Sequence, residues 1–490
     1  DMKKYLLAET LVTYTLMETL QTLQFIKVNH LNVKEIKERE INKKSVYRKV
    51  INIGLPVAIE NMIYALMNFV DMFMVGNENV ILGLGTVAVA GLGFANQMFM
   101  IFMTSLFGMN SGGGILAAQY FGNKDYKNLK RCLGITISVG FLFSLLFLFA
   151  GLFIPETVIS VFTNDSKVIK IGADYLRIVA WTYPLVGVGF AFNIQLRAIG
   201  KTKYSFYSSV IGLLINVVIN YVLIFGHFGF PAMGVRGAAV ATVIARIIST
   251  FYIIYIIYKL KLPIAGKINE LFDLSLEFFV KVMKISLPVF IHEILWILGS
   301  SVYVMIFGRM GTDFAAAVQV VKSISSLVLT LLFGLSSATS AIIGNEIGAG
   351  REENAYDYSI ILLKVAVISG IIIGAIVFIF SPFILIHVNA KSYLLAKEIV
   401  KAEVFVIFIK AISLQLLVGI LRSGGDTLWT MFTDLIPLWF IAIPITYFSG
   451  LYSGLPVAIV YLLSCSDEVI KIFPCVMRLR SRKWINNLVS

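Results

Sequence analysis

The chain has 490 residues, of which 58% are hydrophobic and 14% are charged, and its formal net charge at pH 7 is +13. About 25% charged residues is usual for a soluble globular protein, so the composition excludes that class and indicates an integral membrane protein. The basic excess does not indicate nucleic-acid binding, because the lysines and arginines flank apolar segments, where they face anionic headgroups. The expected partner is therefore the lipid bilayer and not nucleic acid.

The first segment, residues 1–45, differs from the rest of the chain. It contains "YLLAETLVTYTLMETL", which is too polar to span a bilayer, followed by the charged "KVNHLNVKEIKEREINKK". It lacks the basic head and continuous apolar core of a signal peptide. We expect a cytoplasmic N-terminal extension that is solvated or lies on the membrane surface. A start at Asp1 instead of methionine is consistent with a chain that is incomplete at this end.

Apolar segments recur along the remaining chain. About 20 helical residues cross the roughly 30 Å hydrocarbon core of a bilayer. These segments run continuously apolar, whereas the strands of a membrane barrel alternate. The sequence thus predicts an all-α polytopic membrane protein with twelve transmembrane helices, near residues 51–76, 86–110, 131–154, 172–198, 204–226, 233–258, 282–308, 314–342, 357–381, 398–421, 428–449 and 454–476.

Lysine and arginine residues predict the orientation of these helices. Most of them fall in loops on the side of the N-terminus, and the chain ends in the basic segment "RLRSRKW" from Arg478. Basic residues concentrate in short cytoplasmic loops. We expect both termini, including this basic C-terminal tail, to lie in the cytoplasm. We expect the chain to lie in the plasma membrane, which is the inner membrane in a cell that has two membranes.

Internal repetition divides the chain into two halves. "GLPVAIENMIYALMNFVDMFMVG" from Gly54 aligns with "SLPVFIHEILWILGSSVYVMIFG" from Ser286, and "LRAIGKT" from Leu196 aligns with "LRSGGDT" from Leu421. This predicts six helices in an N-lobe, residues 46–260, and six in a C-lobe, residues 261–490. Because six is even, the repeats are parallel, related by an axis along the membrane normal, and enclose a central cleft.

An ordered set of short motifs resembles one known family. It comprises Pro56 ahead of "VDMFMVG", "AAQYFGNKD" from Ala117, the two repeated "LR" elements, and "IGNEIGAGREENA" from Ile343. Over residues 46 to about 478 the chain resembles the multidrug and toxic compound extrusion (MATE) family. The resemblance implies a monomeric antiporter, needing no cofactor besides its coupling ion, that expels organic cations, often drugs, in exchange for Na⁺ or H⁺ by alternating access.

Asp71 is the first candidate site residue. An ionisable side chain inside a span is costly, and it is therefore a functional-site hypothesis. The alternative is a carboxylate that accepts hydrogen bonds within the bundle or pairs with a buried base. Glu60 lies eleven residues earlier, about three turns, and so shares a helix face with Asp71. We expect Asp71 to face an aqueous pocket near the outer end of its helix.

Neutral oxygen ligands are the expected partners of this carboxylate. In a low-dielectric pocket it can be neutralised by a proton, by Na⁺ or by an organic cation, but not readily by two at once, which gives exchange. Asn216 and Asn220 lie four apart on one face of the fifth helix, and Asn68 lies one turn before Asp71. Asp71, Asn216 and Asn220 form a possible Na⁺ site. In the family an Asp commonly matches Asn220, so the Asn here leaves Na⁺ and H⁺ both open.

The second half supplies the remaining candidates. Tyr303 stands where the repeat would place a twin of Asp71, and Glu293 matches the acidic residue that some family members require in the seventh helix. His292 has a pKa suited to proton handling, although a hydrogen-bonded core imidazole is the alternative. Gln195 in the fourth helix completes the substrate-binding candidates.

Three buried bases, Lys322, Lys410 and Arg246, have no assigned partners in the sequence. Glu293, Asp434 and Glu468 are the acids considered for Lys322 and Arg246. The sequence does not pair them.

Two other functions were weighed. A lipid-linked oligosaccharide flippase of the same wider superfamily would be expected to have a strongly cationic cavity, which the acidic residues Asp71 and Glu293 oppose. A membrane enzyme would need a catalytic or metal cluster, but the histidines His30, His227, His292 and His387 are scattered. We therefore expect a transporter and not an enzyme.

Overall fold

The computed structural model describes residues 43–76, 85–385 and 390–490, and within these ranges it contains helices and no strands. The all-helical prediction is confirmed. The predicted N-terminal extension lies outside the described residues except for its last three positions, 43–45, which already belong to the first helix. His30 and His387 also lie outside them.

The described part of the first half folds into eight helices: α1 Lys43–Val75, α2 Thr86–Gly122, α3 Tyr126–Phe153, α4 Pro155–Ser160, α5 Ser166–Ala180, α6 Tyr183–Ala198, α7 Lys203–Phe225 and α8 Val235–Lys259. Side chains cap two of them. Asp125 accepts a hydrogen bond from the backbone nitrogen of Asn128 at 3.1 Å at the start of α3. Asp165 accepts one from Lys167 at 2.8 Å at the start of α5. Each cap satisfies a backbone N–H that has no partner within the helix.

The described part of the second half folds into nine helices: α9 Ile268–Leu271, α10 Leu276–Met310, α11 Thr312–Gly348, α12 Glu352–Leu385, α13 Ala390–Leu414, α14 Thr427–Pro437, α15 Ile443–Tyr452, α16 Val457–Ser464 and α17 Ser466–Arg480. A π-helical turn, Gln415–Leu421, extends α13. Another, Leu438–Ala442, joins α14 to α15 directly after Pro437. Proline has no N–H to donate, which is a common cause of such a local change in helical pitch.

Ten helical spans in the described ranges are long and apolar enough to cross a membrane. Helices α5 and α6 form an eleventh as a pair, bent by 57°. Pro184 stands in the first turn of α6 and removes a backbone donor there,. The last span, 454–476, was predicted to be one continuous helix, and the structure differs there. It is divided at Cys465 into α16 and α17, and α17 carries Asp467, Glu468 and Lys471.

The two halves touch closely at one end of the bundle, the end at which α2 and α11 finish. We call this the closed end. A Cβ atom added to Gly348 of α11 would lie 1.9 Å from the carbonyl oxygen of Gln119. Further from the closed end on α2, the backbone nitrogen of Gly112 donates to Oγ of Ser286 on α10 at 3.0 Å. Glycine allows these backbones to approach in the way small residues do in membrane helix packing.

The C-terminal segment packs across the closed end. Trp484 is fully buried, and Nδ2 of Asn486 donates to the carbonyl oxygen of Gly424 at 3.0 Å. The backbone nitrogen of Leu488 donates to Oε1 of Gln119 at 2.8 Å. The segment predicted as a basic tail therefore links the end of the second half to α2 of the first.

Candidate functional site

Asp71 lies near the end of α1, and its side chain is held by α7 and α8. The residue is 2% exposed. Nδ2 of Asn220 donates to Asp71 Oδ1 at 2.5 Å, and Oγ1 of Thr242 donates to Asp71 Oδ2 at 3.1 Å. The structure thus brings the carboxylate together with neutral donors.

Asn216 extends this cluster along α7. Its Oδ1 accepts a hydrogen bond from Nδ2 of Asn220 at 3.1 Å, and its Nδ2 donates to Thr242 Oγ1 at 3.4 Å. Oδ1 of Asn220 is buried and has no hydrogen-bond partner among the described residues. Rotation of the Asn220 amide would place its oxygen, an acceptor, where its nitrogen now donates to Asp71. Carboxylate, amide and hydroxyl oxygens are the hard ligands that an alkali cation or a proton can use.

A small cavity lies beside this cluster instead of the aqueous pocket expected for Asp71. Its volume is about 10 Å³, close to that of one water molecule, and Asn68 and Thr242 contribute to its lining,. Arg246 also lines it, and its guanidinium lies over the rings of Tyr64 at 5.0 Å and Phe99 at 4.8 Å. The expectation of an open pocket at Asp71 was wrong, because the packing of α1, α7 and α8 buries the carboxylate.

A larger cavity, of about 320 Å³, lies between the two halves. Its lining comes from both of them, and it includes four aromatic side chains: Tyr64, Phe107, Phe190 and Phe333. Hydroxyl groups of Thr104, Ser111, Ser337 and Ser340 add polar positions. Predominantly apolar walls with a few polar groups are typical of sites that bind small organic molecules.

Two ion pairs face this central cavity. Glu60 on α1 pairs with Arg197 on α6 at 3.2 Å, and Glu293 on α10 pairs with Arg422 after α13 at 3.1 Å. Glu60 was predicted beside Asp71 on one helix face, but it serves this different site, about three turns away along α1.

His292 connects the cavity to a network of charges in the second half. Its Nδ1 lies 2.9 Å from Nη2 of Arg422 and 3.2 Å from Oε1 of Glu293, and its Nε2 lies 2.6 Å from Oδ2 of Asp434. Lys471 donates to Oδ1 of Asp434 at 2.7 Å and lies 3.0 Å from a carboxylate oxygen of Glu468. Both nitrogens of the imidazole are thus occupied, as in a hydrogen-bonded core residue.

Among the described residues, Lys322 and Arg246 lie near aromatic rings instead of the acids considered for them, and Lys410 has an acidic partner. Lys410 pairs with Glu403 at 3.2 Å, and the hydroxyl of Tyr461 donates to the same carboxylate at 2.7 Å. Lys322 lies 5.7 Å from the ring centre of Phe307. Gln195 is buried and donates to the carbonyl oxygen of Gly113 at 3.4 Å, which places it in helix packing and not in the lining of the cavity.

Sequence reasoning missed Thr242, Arg197, Arg422 and Lys471. A signal existed for two of them, because Arg197 and Arg422 are the arginines of the repeated "LRAIGKT" and "LRSGGDT" elements. Thr242 and Lys471 had none, because no motif or spacing in the sequence relates them to Asp71 or Asp434. Within the described ranges, no group of three or more His, Cys, Asp or Glu side chains could hold a metal ion.

Comparison with known proteins places the chain in a family. The MatE family model matches residues 56–222 and 288–448, and these segments begin at the two prolines aligned by the internal repeat. The chain is 26% identical over 85% of its length to the probable multidrug resistance protein YoeA of Bacillus subtilis (strain 168), of which it covers 89%. It is 23% identical over 93% of its length to the probable multidrug resistance protein NorM of Thermotoga maritima, of which it covers 95%.

The fold is similar to that of solved transporters. The Vibrio cholerae MATE transporter VcmN in its bent form superposes with a TM-score of 0.80 at 14% identity, covering 91% of this chain and 99% of that one. The two matched segments, which span both halves, establish that the chain belongs to the MatE family, the multidrug and toxic compound extrusion transporters that its motifs resemble.

Proposed function

We propose that the protein is an efflux antiporter that exchanges organic cations, including drugs, for Na⁺ or H⁺ by alternating access between its halves. Membership of the MatE family supports transport. The names of the similar proteins YoeA and NorM support multidrug substrates. In this proposal the chain works as a monomer in the plasma membrane, with both termini cytoplasmic.

The observation that carries the proposal is the set of partners around Asp71. The carboxylate is buried, and the hydrogen bonds it accepts from the described residues come from the neutral groups of Asn220 and Thr242. An ionised carboxylate in a low-dielectric interior is costly unless a cation or a proton neutralises it. A site of this kind favours binding one coupling cation.

The central cavity supports a substrate route between the halves. It lies between α1 and α2 on one side and α10 and α11 on the other, and Gly348 approaches Gln119 closely at the closed end. In this proposal, separation of these helices at the closed end would open the cavity to the face of the membrane at that end. Movement of one half against the other is the common mode of transporters built from repeats.

The alternative of a lipid-linked oligosaccharide flippase is not favoured by the charges of the cavity. Each guanidinium of the lining is paired with a carboxylate, Arg197 with Glu60 and Arg422 with Glu293. A diphosphate group would need a cationic excess that these pairs do not provide.

The test is exchange in proteoliposomes loaded with ethidium, a fluorescent organic cation. A Na⁺ gradient and a pH gradient are imposed separately, each with the membrane potential clamped. We expect one gradient to accelerate ethidium efflux and the other to have no effect, which identifies the coupling ion. Efflux that neither gradient changes would overturn the proposal of cation coupling.

A further inference from the structure

Arg246 on α8 is a buried base to which the exchange proposed at Asp71 assigns no role. It is 8% exposed. Arg422, which is 5% exposed, pairs with Glu293 at 3.1 Å. Arg246 forms no ion pair with a described residue, and its buried Nε has no hydrogen-bond partner among them. A buried charge without a counter-charge is costly, so this guanidinium favours the binding of an anion.

A second donor without a partner borders the same small cavity beside the Asp71 cluster. Asn68, Asn96, Thr242 and Arg246 contribute to the lining of this cavity. Nδ2 of Asn96 on α2 is buried and has no hydrogen-bond partner among the described residues. A buried donor without a partner costs free energy, which an acceptor in the cavity would recover. Helices α2 and α8 thus bring two such donors, one of them charged, to one cavity.

Two aromatic rings hold the guanidinium of Arg246 at this place. It lies over Tyr64 at 5.0 Å and over Phe99 at 4.8 Å. These contacts use its positive charge but supply no hydrogen-bond acceptor to its Nε. The cavity beside it has a volume of about 10 Å³, close to that of one water molecule,. It therefore has room for one small ion and excludes organic anions and phosphate.

We propose that this cavity binds one chloride ion, or a halide of similar size, when Asp71 is neutralised by its coupling cation. Nε of Arg246 and Nδ2 of Asn96 would donate to the anion. A water molecule could accept the same hydrogen bonds, but it would not balance the charge of the guanidinium. The inference rests on the proposed function only for the cation at Asp71.

Charge balance links the anion to Asp71. Oγ1 of Thr242 donates to Asp71 Oδ2, and Thr242 also lines the cavity, so one side chain separates the two sites. When Asp71 is ionised, its charge and that of Arg246 cancel. When a proton or Na⁺ neutralises Asp71, the guanidinium is left without compensation in a low-dielectric interior. Since an anion restores the balance, each ion should favour the binding of the other.

Equilibrium dialysis against radioactive chloride tests for the site in the wild-type protein. The protein is held in nanodiscs of neutral lipid, in sodium gluconate at mildly acidic pH, so that either Na⁺ or H⁺ can neutralise Asp71. Gluconate is too large for the cavity. The net charge of +13 attracts anions to the surface without saturation, which sets the baseline. We expect a saturable component of one chloride per chain that bromide displaces, and its absence would assign the cavity to water and overturn the inference.

Variants of the two donors identify the residues responsible. Arg246→Gln should weaken the saturable component by about tenfold or more, since it removes the charged donor. Asn96→Leu keeps the guanidinium and should weaken chloride by about fivefold, which tests the site even if Arg246→Gln does not fold. Arg236→Gln is the matched control, because it removes a guanidinium of the same helix that is exposed and paired with Asp174. Undiminished chloride binding in Arg246→Gln or in Asn96→Leu would contradict the assignment.

A variant of Asp71 should have the opposite effect. At alkaline pH, with N-methylglucamine as the added cation, Asp71 stays ionised in the wild type. Asp71→Asn removes this negative charge and keeps the shape of the side chain. We expect it to bind chloride about tenfold more tightly than the wild type under these conditions. Equal or weaker binding would overturn the link between the two sites.

The dialysis uses no ion gradient, so its result is separate from that of the exchange test. If the wild type shows no saturable chloride but a gradient drives ethidium efflux, the anion inference fails and the proposed antiport stands. If chloride binds as expected but no gradient drives efflux, the anion site stands and the proposed antiport fails.

Discussion

Asn220 on α7 donates a hydrogen bond of 2.5 Å to Asp71 on α1, joining two helices of the first half through one amide and one carboxylate. The other amide atom, Oδ1 of Asn220, has no partner among the described residues. The amide can therefore stabilise the carboxylate in one orientation and present an oxygen ligand in the other.

Replacing Asn220 by Asp should increase the affinity for the coupling cation. Two carboxylates in contact repel each other unless they share a proton or a cation. A second carboxylate therefore makes the binding of a positive charge at this site more favourable. We expect the apparent affinity for the ion that drives efflux to rise by about tenfold or more. It is measured from the dependence of efflux rate on that ion's concentration. Thr242→Ser keeps the hydroxyl and serves as control, and an unchanged ion dependence in Asn220→Asp would count against this role.

Removing Arg197 alone should destabilise the protein more than removing both members of its ion pair with Glu60. Arg197→Met leaves Glu60 buried without its partner at 3.2 Å, and we expect a loss of about 3 kcal/mol in the free energy of unfolding,. The double variant Glu60→Gln with Arg197→Met should recover most of that loss. The free energy of unfolding of each single variant and of the double variant is measured by SDS titration. A loss in the double variant equal to the sum of the two single losses would show that the pair is not coupled.

Lys471 should contribute strongly to the stability of the second half, whereas Lys322 should contribute little. Its ammonium lies within 4.0 Å of carboxylate oxygens of Asp434, Asp467 and Glu468, at 2.7, 3.8 and 3.0 Å. Lys471→Met would leave these acids without that charge, and we expect a loss of about 3 kcal/mol or more in the free energy of unfolding.

Lys322→Met is the matched control, because Lys322 contacts the ring of Phe307 and Met fills a similar volume,. The same SDS titration should give less than about 1 kcal/mol for this variant. Equal losses in the two variants would contradict the importance assigned to the network around Lys471.

Gly348→Ala should open the closed end. Its new Cβ would lie 1.9 Å from the carbonyl oxygen of Gln119, so the backbones must separate. Spin labels at the exposed positions Lys124 and Glu352, which follow α2 and α11, should report a longer distance than in the wild type. Gly308→Ala is the control, since a Cβ there meets no atom within 4 Å. An unchanged distance in Gly348→Ala would show that the contact does not hold the halves together.

The sequence was sufficient for the class of the fold, because continuous apolar segments leave helices as the physical solution in lipid. The alignment of the segment around Pro56 with the segment around Pro288 revealed the internal duplication. Asp71 was recognised as one of two ionisable residues in an apolar span, and the four-residue spacing of Asn216 and Asn220 placed both amides on one helix face. The structure brings these three residues together.

Other contacts depend on how helices distant in the chain pack against each other, which no local pattern encodes. The hydrogen bond from Thr242 on α8 to Asp71 and the contact of Lys471 with Asp434 are of this kind. Arg197 and Arg422 stood inside recognised motifs, but a motif gives position along the chain and not the direction in which a side chain points. The break at Cys465 was missed because the apolar α16 masks the charged start of α17.

The central claim is that Asp71 binds the coupling cation, and ion-driven efflux by Asp71→Asn tests it most directly. Ethidium binding is first measured without a gradient, to show that the variant is folded. Efflux from proteoliposomes is then compared with and without the driving gradient, next to Asp174→Asn, a control in which a partly exposed carboxylate paired with Arg236 is lost. We expect Asp71→Asn to bind ethidium and to lose the acceleration that the gradient gives the wild type and Asp174→Asn. Full acceleration in Asp71→Asn would contradict the claim.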